Sequence, residues 1–102
     1  MSDFTLSEHA DISIERPERY GKQLASHISH KTEVSEIEGG WQAKIRTGEG
    51  KILPQTETLV LEAQAHDEET LAIVKDVLEH HLRKFAAKLE PFDVHWEKTS
   101  EV

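Results

Sequence analysis

Residues 58–85 read TLVLEAQAHDEETLAIVKDVLEHHLRKF, and within them the hydrophobic repeat changes from two residues to 3.6. Residues 59–65 carry apolar side chains at every second position, which is typical of a strand with one buried face. Asp67 is a good helix N-cap, and the carboxylates of Glu68 and Glu69 suit the positive end of a helix dipole. The segment therefore predicts a strand that leads directly into a helix.

This second helix is the longest element that the sequence predicts. Its apolar residues recur at helical spacing and predict one buried side, and Pro91 ends the pattern. The predicted buried stripe consists of Leu71, Val74, Leu78, Leu82 and Phe85.

The chain before this segment predicts a first strand and a first helix. Residues 4–14 alternate between apolar and polar side chains, although Glu8 interrupts the apolar series. Pro17 suits the first position of a helix, and Glu18 favours its N-terminal end. The helical stripe that follows consists of Tyr20, Leu24, His27, Ile28 and Lys31.

Shorter strands are predicted between the two helices and at the end of the chain. Residues 34–38 form a weak strand, and Gly39-Gly40 is a hairpin signal. Residues 41–46 alternate clearly, and residues 47–50 predict a turn or short loop. Pro54 cannot donate a hydrogen bond, so the segment around Ile52 and Leu53 is placed at a sheet edge or bulge. A last strand is predicted from the alternation of Phe92, Val94 and Trp96 with Asp93, His95 and Glu97.

The order of elements predicts an α+β fold, β-α-β-β-β-α-β. Two helices with one apolar stripe each pack most simply on one face of a mainly antiparallel sheet of four to five strands, as a two-layer sandwich. At 102 residues the chain has room for a single domain, with an ordered core over residues 4–97 and a polar tail over 98–102.

Composition excludes several classes of function. Twenty acidic against twelve basic residues give a net charge of −8, which disfavours binding to nucleic acid. The absence of cysteine removes disulfides and thiolate chemistry. No apolar run approaches the about 20 residues of a membrane span, and the N-terminus has no secretory signal pattern. We therefore expect a cytoplasmic protein that binds neither nucleic acid nor membrane.

Seven histidines are the unusual feature of the composition. If both helices lie side by side, His27, His30 and His81 could converge, and neutral imidazole is a common ligand for iron, haem iron or zinc. The alternative is that these rings pack and hydrogen-bond as structural residues, which is the commoner role of such histidines. Because His27 falls within the predicted apolar stripe, we expect it to be buried, with Tyr20 and His81 close by.

No catalytic residue is predicted. Residues 45–52 resemble a phosphate-binding loop only faintly, because Ile45 replaces its first glycine and Ile52 its hydroxyl residue. The sequence contains no His-Glu-x-x-His motif and no Gly-x-Ser-x-Gly motif. The sequence thus favours a domain that is not an enzyme.

Two motifs resemble a bacterial family known as a domain of unknown function. The first is Tyr20-x₃-Leu24-x₂-His27-x₂-His30-Lys31, and the second is His81-Leu82-x-Lys84-Phe85-Ala86, followed by Val94-His95-Trp96. The resemblance covers roughly residues 10–97. It implies that the family's signature positions are Tyr20, His27, His30, Lys31, His81, Lys84 and Phe85.

The resemblance also implies a role near iron acquisition, because members tend to be encoded beside siderophore-interacting flavoproteins. Ala25 stands where members often have cysteine, so an activity that depends on that cysteine is excluded here. Lys84 stands where members of the family often have arginine.

Two hypotheses follow. The chain is an accessory module that holds iron, haem or a chelate near its histidines, with a siderophore-interacting flavoprotein as partner, or it is an interaction domain that binds a partner or itself as a homodimer.

Overall fold

The computed structural model describes residues 5–86 and 94–98, without the side chains of residues 85 and 86. The elements, in chain order, are β1 (Leu6–Ser13), α1 (Pro17–Ile28), β2 (Val34–Ile37), β3 (Gly40–Ile45), β4 (Gly48–Pro54), β5 (Thr58–Ala65), α2 (Glu68–Ala86) and β6 (Glu97–Lys98).

The strands form one antiparallel sheet in the order β2-β3-β4-β5-β1-β6. Both helices pack on the same face of it, and the core lies between the two layers. The predicted α+β two-layer sandwich is confirmed, with six strands in place of the predicted four to five. Over the described residues, neither helix is long and apolar enough to cross a membrane.

Strand β4 begins earlier than the sequence predicts. The predicted loop over residues 47–50 is instead the start of β4, and only Arg46 and Thr47 form the turn. Gly48 and Gly50 lie under α2: a Cβ at Gly48 would come within 2.9 Å of Val74, and one at Gly50 within 3.1 Å of Leu78. Glycine is therefore here because the helix approaches the strand closely, and not because the chain turns.

The predicted edge or bulge position of the segment before Pro54 is wrong, because β4 lies between β3 and β5. Pro54 is tolerated at the end of β4. The pairing between β4 and β3 stops at Ile52 and Trp41, two residues before the proline, so the missing N–H removes no bond to β3.

Strand β1 is continuous through Glu8, where the sequence predicted an interruption. Glu8 pairs with Ala63 of β5 and points toward the helices at the margin of the core. Its carboxylate accepts a 3.0 Å hydrogen bond from the Nζ of Lys75 on α2. A partly buried charge is acceptable in the strand because the next layer supplies its partner.

Helix α1 buries three residues of its predicted stripe, Tyr20, Leu24 and Ile28, but its buried side is shifted away from His27. The predicted burial of His27 is wrong, because this residue is exposed. The sheet side of α1 includes Gly21, where a Cβ would lie only 3.2 Å from Leu59. Small residues allow that approach but give little hydrophobic signal, which is why the sequence placed the stripe too close to His27. The buried residues of α1 are Pro17, Tyr20, Gly21, Leu24, Ala25 and Ile28.

Helix α2 agrees with its prediction. The Asp67 carboxylate accepts a 2.7 Å hydrogen bond from the Thr70 N–H, as expected of an N-cap. The predicted stripe residues Leu71, Val74, Leu78 and Leu82 are all buried. The side chain of Phe85 and the predicted helix end at Pro91 lie outside the described residues.

The predicted last strand is shorter and later than expected. Val94–Trp96 is not a strand, and β6 consists of Glu97 and Lys98, which pair with His9 and Glu8 of β1. Trp96 instead donates a 3.2 Å hydrogen bond from its indole N–H to Glu79 of α2. Phe4, Phe92, Asp93 and residues 99–102 lie outside the described part of the chain.

Candidate ligand-binding cleft

A cleft of about 220 Å³ opens between the end of α1, the turn from β3 to β4, and α2. It forms because α1 ends at Ile28 and the chain turns immediately toward β2. The amides of Lys31 and Thr32 both donate to the Ile28 carbonyl, at 2.9 and 3.0 Å, and the Thr32 hydroxyl donates to the Lys44 carbonyl of β3. These bonds fix the wall of the cleft. Its lining residues are Ile28, Lys31, Thr32, Ile45, Arg46, Val77 and His81.

The cleft has an apolar floor and a cationic rim. Ile28 and Ile45 belong to the core, and Val77 is half-buried beside them. Lys31 and Arg46 are exposed at the opening. Arg46 holds a left-handed backbone conformation, with φ of 56°. In a chain of net charge −8, two neighbouring cations over an apolar floor favour an amphipathic ligand with an anionic group.

His81 lines this cleft, and one of its ring nitrogens is hydrogen-bonded to the backbone. Its Nδ1 lies 2.8 Å from the Val77 carbonyl oxygen, one helical turn earlier. A carbonyl oxygen can only accept, so Nδ1 carries the hydrogen in the neutral ring and Nε2 keeps a free lone pair. The backbone bond thereby fixes both the tautomer and the orientation of the ring. In this tautomer Nε2 can accept a hydrogen bond from a donor group of a ligand.

Two of the three predicted site histidines come together. The rings of His27 and His81 are edge to face, with centroids 5.7 Å apart, and His80 also packs its ring edge to face with His81, at 5.8 Å. His30 lies in the turn after α1, and no ring contact joins it to the other two. Among residues 5–86 and 94–98, no group of three or more histidines or carboxylates is placed to hold a metal ion.

A family model described as "Uncharacterized protein conserved in bacteria (DUF2218)" matches residues 9–97. The chain belongs to this family. An NMR structure of PA4090 from Pseudomonas aeruginosa is similar in fold, with a TM-score of 0.75 and 22% sequence identity over 91% of this chain and 96% of that chain. No curated protein matches the sequence.

In this DUF2218 domain, the other residues that suggested the resemblance have different surroundings. Tyr20 is buried in the core on α1, Lys31 is on the rim of the cleft, and Lys84 is exposed on α2. The side chain of Phe85 lies outside the described residues. Among the signature residues whose side chains the structure describes, only Lys31 joins His81 in lining the cleft.

Sequence reasoning missed Arg46 and Thr32 as cleft residues. Arg46 follows an alternating strand and looks like a solvent-facing residue of a turn. No sequence signal marks a left-handed backbone at arginine, because asparagine and glycine are the usual residues there. Thr32 joins the cleft through a hydrogen bond to β3, which depends on how the layers pack.

Proposed function

We propose that the chain is a non-enzymatic binding module of bacterial iron metabolism that holds an anionic arm of an iron chelate in the cleft. The observation that carries the proposal is that the cations Lys31 and Arg46 line one cleft with an apolar floor, beside the hydrogen-bond acceptor of His81. Charged donors bind anionic oxygens more strongly than neutral donors do. The link to iron comes from the resemblance of the two histidine motifs to a family encoded beside siderophore-interacting flavoproteins.

A chelate fits this cleft better than a bare ion or a haem. A bare ion usually needs three or four protein ligands, and the rings of His27 and His81 supply two. In a chelate the small molecule coordinates the iron, and the protein needs only to recognise anionic oxygen and apolar surface. The volume of about 220 Å³ is below the usual range of about 300–1,000 Å³ for sites that enclose a whole drug-sized ligand. The cleft would therefore take one arm of a larger molecule, with the rest outside it.

This binding mode also suits the proposed partner. A chelate held by one arm leaves its other face exposed, so a siderophore-interacting flavoprotein could reach the iron without displacing the domain. The domain would then act as an accessory that presents the chelate. The cytoplasm is the compartment where such a flavoprotein would meet it.

Isothermal titration with ferric catecholate and ferric hydroxamate chelates tests the proposal, with the iron-free chelators, citrate and inorganic phosphate as comparison ligands. We expect saturable binding of a chelate and a higher melting temperature, since a ligand at 100 times its Kd stabilises the folded state by about 2.7 kcal/mol. Lys31→Gln and His81→Gln should each weaken binding. Lys22→Gln, which changes an exposed lysine on the outer side of α1, is the matched control.

Two results would reject the proposal. The first is that the folded protein binds none of the chelates in the titration. The second is binding that Lys31→Gln and His81→Gln leave unchanged.

A further inference from the structure

Strand β2 has a neighbour on one side only within the part of the chain that the structure describes. The Glu33 carbonyl accepts a 3.0 Å hydrogen bond from the Lys44 N–H, so the backbone of residue 33 faces β3. Backbone direction alternates along an antiparallel strand, so the groups of Ser35 and Ile37 also face β3, while those of Val34 and Glu36 point away. No described strand pairs with the outer edge of β2, whose N–H and C=O groups are therefore placed to pair with a further strand.

A groove of about 320 Å³ lies beside this edge. Trp41 lines this groove, and its six-membered ring rests on α1, where a Cβ at Gly21 would lie 3.3 Å from the ring. Glu18 of α1 and Glu36 of β2 are exposed, and neither carboxylate pairs with another described residue. The groove is lined by Glu18, Glu36, Ile37, Gly39, Gly40, Trp41 and Pro54.

The charge of this edge indicates which kind of chain segment would bind there. Residues 33–43 contain Glu33, Glu36 and Glu38 and no basic residue. A second copy of the chain paired along β2 would bring the carboxylates of both copies to one seam, where they repel. An extended segment that carries lysine or arginine would instead neutralise them. A cation over the face of a tryptophan is a further favourable contact.

We propose that the outer edge of β2 and the adjoining groove bind a basic, extended segment of a partner protein. The segment adds a seventh strand through the backbone groups of Val34 and Glu36, and one basic side chain enters the groove between Glu18 and Glu36, against Trp41. The eleven residues of α1 from Glu18 to Ile28 span about 15 Å, so this surface is separate from the cleft at the other end of the helix. It does not depend on the proposed function of the cleft.

NMR titration with an acetylated nine-residue peptide of alternating arginine and valine tests this proposal. The amides of β2 and the indole N–H of Trp41 should shift, while the indole of Trp96, which is bonded to Glu79, should not. Two comparison peptides separate the contributions. One replaces arginine with glutamate, and the other carries N-methyl groups at alternate residues, which remove the donors of the added strand. Neither should bind.

The double variant Glu18→Gln and Glu36→Gln should weaken binding of the arginine peptide by about tenfold or more, and Glu97→Gln on the opposite edge strand β6 is the matched control. Both sets of substitutions are at exposed positions, so thermal melting should show an unchanged fold. The proposal is overturned by no binding, by equal binding of the N-methylated peptide, or by equal binding to the double variant. Self-association that shifts the same β2 amides would also overturn it, because the occupant would then be a second copy.

Discussion

Arg46 is the residue at which an unusual backbone conformation coincides with the proposed binding cleft. It occupies the two-residue turn between β3 and β4 with φ of 56°, and its side chain lines the rim of the cleft. A left-handed backbone costs a residue with a Cβ roughly 1–2 kcal/mol, and glycine avoids this cost. Such strain at a cleft is consistent with a role for the side chain.

Replacement of Arg46 should therefore separate stability from binding. Arg46→Gly removes the strain, although the more flexible unfolded chain offsets part of the gain, so we expect the free energy of unfolding to rise by at most about 1 kcal/mol. Arg46→Asn, which tolerates the same backbone, should leave stability nearly unchanged. Both variants should bind a ferric chelate more weakly. Urea denaturation measures the first effect, and a loss of more than 1 kcal/mol in Arg46→Gly would show that the arginine side chain stabilises the fold.

Asp67 is the residue whose ionisation is coupled to an element of the fold. Two hydrogen bonds from Thr70 lower the pKa of the Asp67 carboxyl below its ordinary value. The bond from the backbone N–H has the larger effect, and the bond from the hydroxyl has the smaller one. A lowered pKa means that the folded state holds the proton less tightly than the unfolded state. The ionised Asp67 cap therefore contributes fully to the free energy of unfolding at pH values above the unfolded pKa of about 4. This contribution is lost as the pH falls through the lower pKa of the folded state.

Two substitutions test this coupling. Asp67→Ala should lower the melting temperature at pH 7 and reduce the loss of stability between pH 5 and pH 2.5. Asp67→Asn keeps an oxygen acceptor for the Thr70 N–H but cannot ionise, so it should retain most of the stability and also show the weaker acid dependence. Melting curves across this range provide the measurement. If both variants kept the full acid dependence of the natural protein, Asp67 would not be the coupled group.

At the scale of elements, the contact between α2 and β4 depends on a large residue over a small one. Leu78 is fully buried, and its methyl groups lie over Gly50. Leu78→Ala should reduce the free energy of unfolding by about 2–5 kcal/mol, because the helix cannot close the cavity fully. Lys84→Ala, at an exposed position of the same helix, is the control and should change stability little. A cost below about 1 kcal/mol for Leu78→Ala would mean that α2 does not pack through this face.

The same contact shows what the sequence could predict and why the rest was missed. Strand β5 and helix α2 were predicted well because large apolar side chains mark their periodicity directly. The start of strand β4 and part of the buried side of α1 were missed, because Gly48, Gly50 and Gly21 pack through the absence of a side chain. The sequence alone does not distinguish a glycine that packs under a helix from a glycine that forms a turn.

The candidate site was predictable to a similar degree. The pairing of His27 with His81 followed from placing both helices on one face, and the structure brings these rings together. His30 did not join them because α1 ends at Ile28, before the helical stripe reaches that residue. Arg46 was missed because its position depends on a turn backbone that propensity does not favour.

At the scale of the whole molecule, α1 separates two surfaces of opposite charge. Its N-terminal end borders the acidic edge of β2, and its C-terminal end borders the cleft with Lys31 and Arg46. The net charge of −8 hides this separation, because composition reports a sum and not a distribution. The two proposed ligands, an anionic chelate arm and a basic segment, would therefore bind to separate surfaces and would not compete.

The layout of the sheet also predicts how stability is distributed. Strand β5 pairs along its full length with β1, and it also pairs with residues 49–54 of β4. Its side chains that lie fully buried beneath the helices are Leu59, Leu61, Ala63 and Ala65. Strands β2 and β6 each have one neighbour among the described residues, and they contribute four and two residues. Opening an edge strand exposes little apolar surface, whereas opening β5 exposes the core.

We therefore expect native-state hydrogen exchange to be slowest at the hydrogen-bonded amides of β5 and of its two neighbours, β1 and β4. Exchange should be faster in β3, and fastest in the edge strands β2 and β6. Exchange of the β5 amides should report global unfolding, so Leu78→Ala should accelerate it by the factor that corresponds to its loss of stability. The β2 amides should respond much less, because they open locally. Equal protection of β2 and β5 would contradict this distribution and would mean that the edge strand unfolds only with the whole domain.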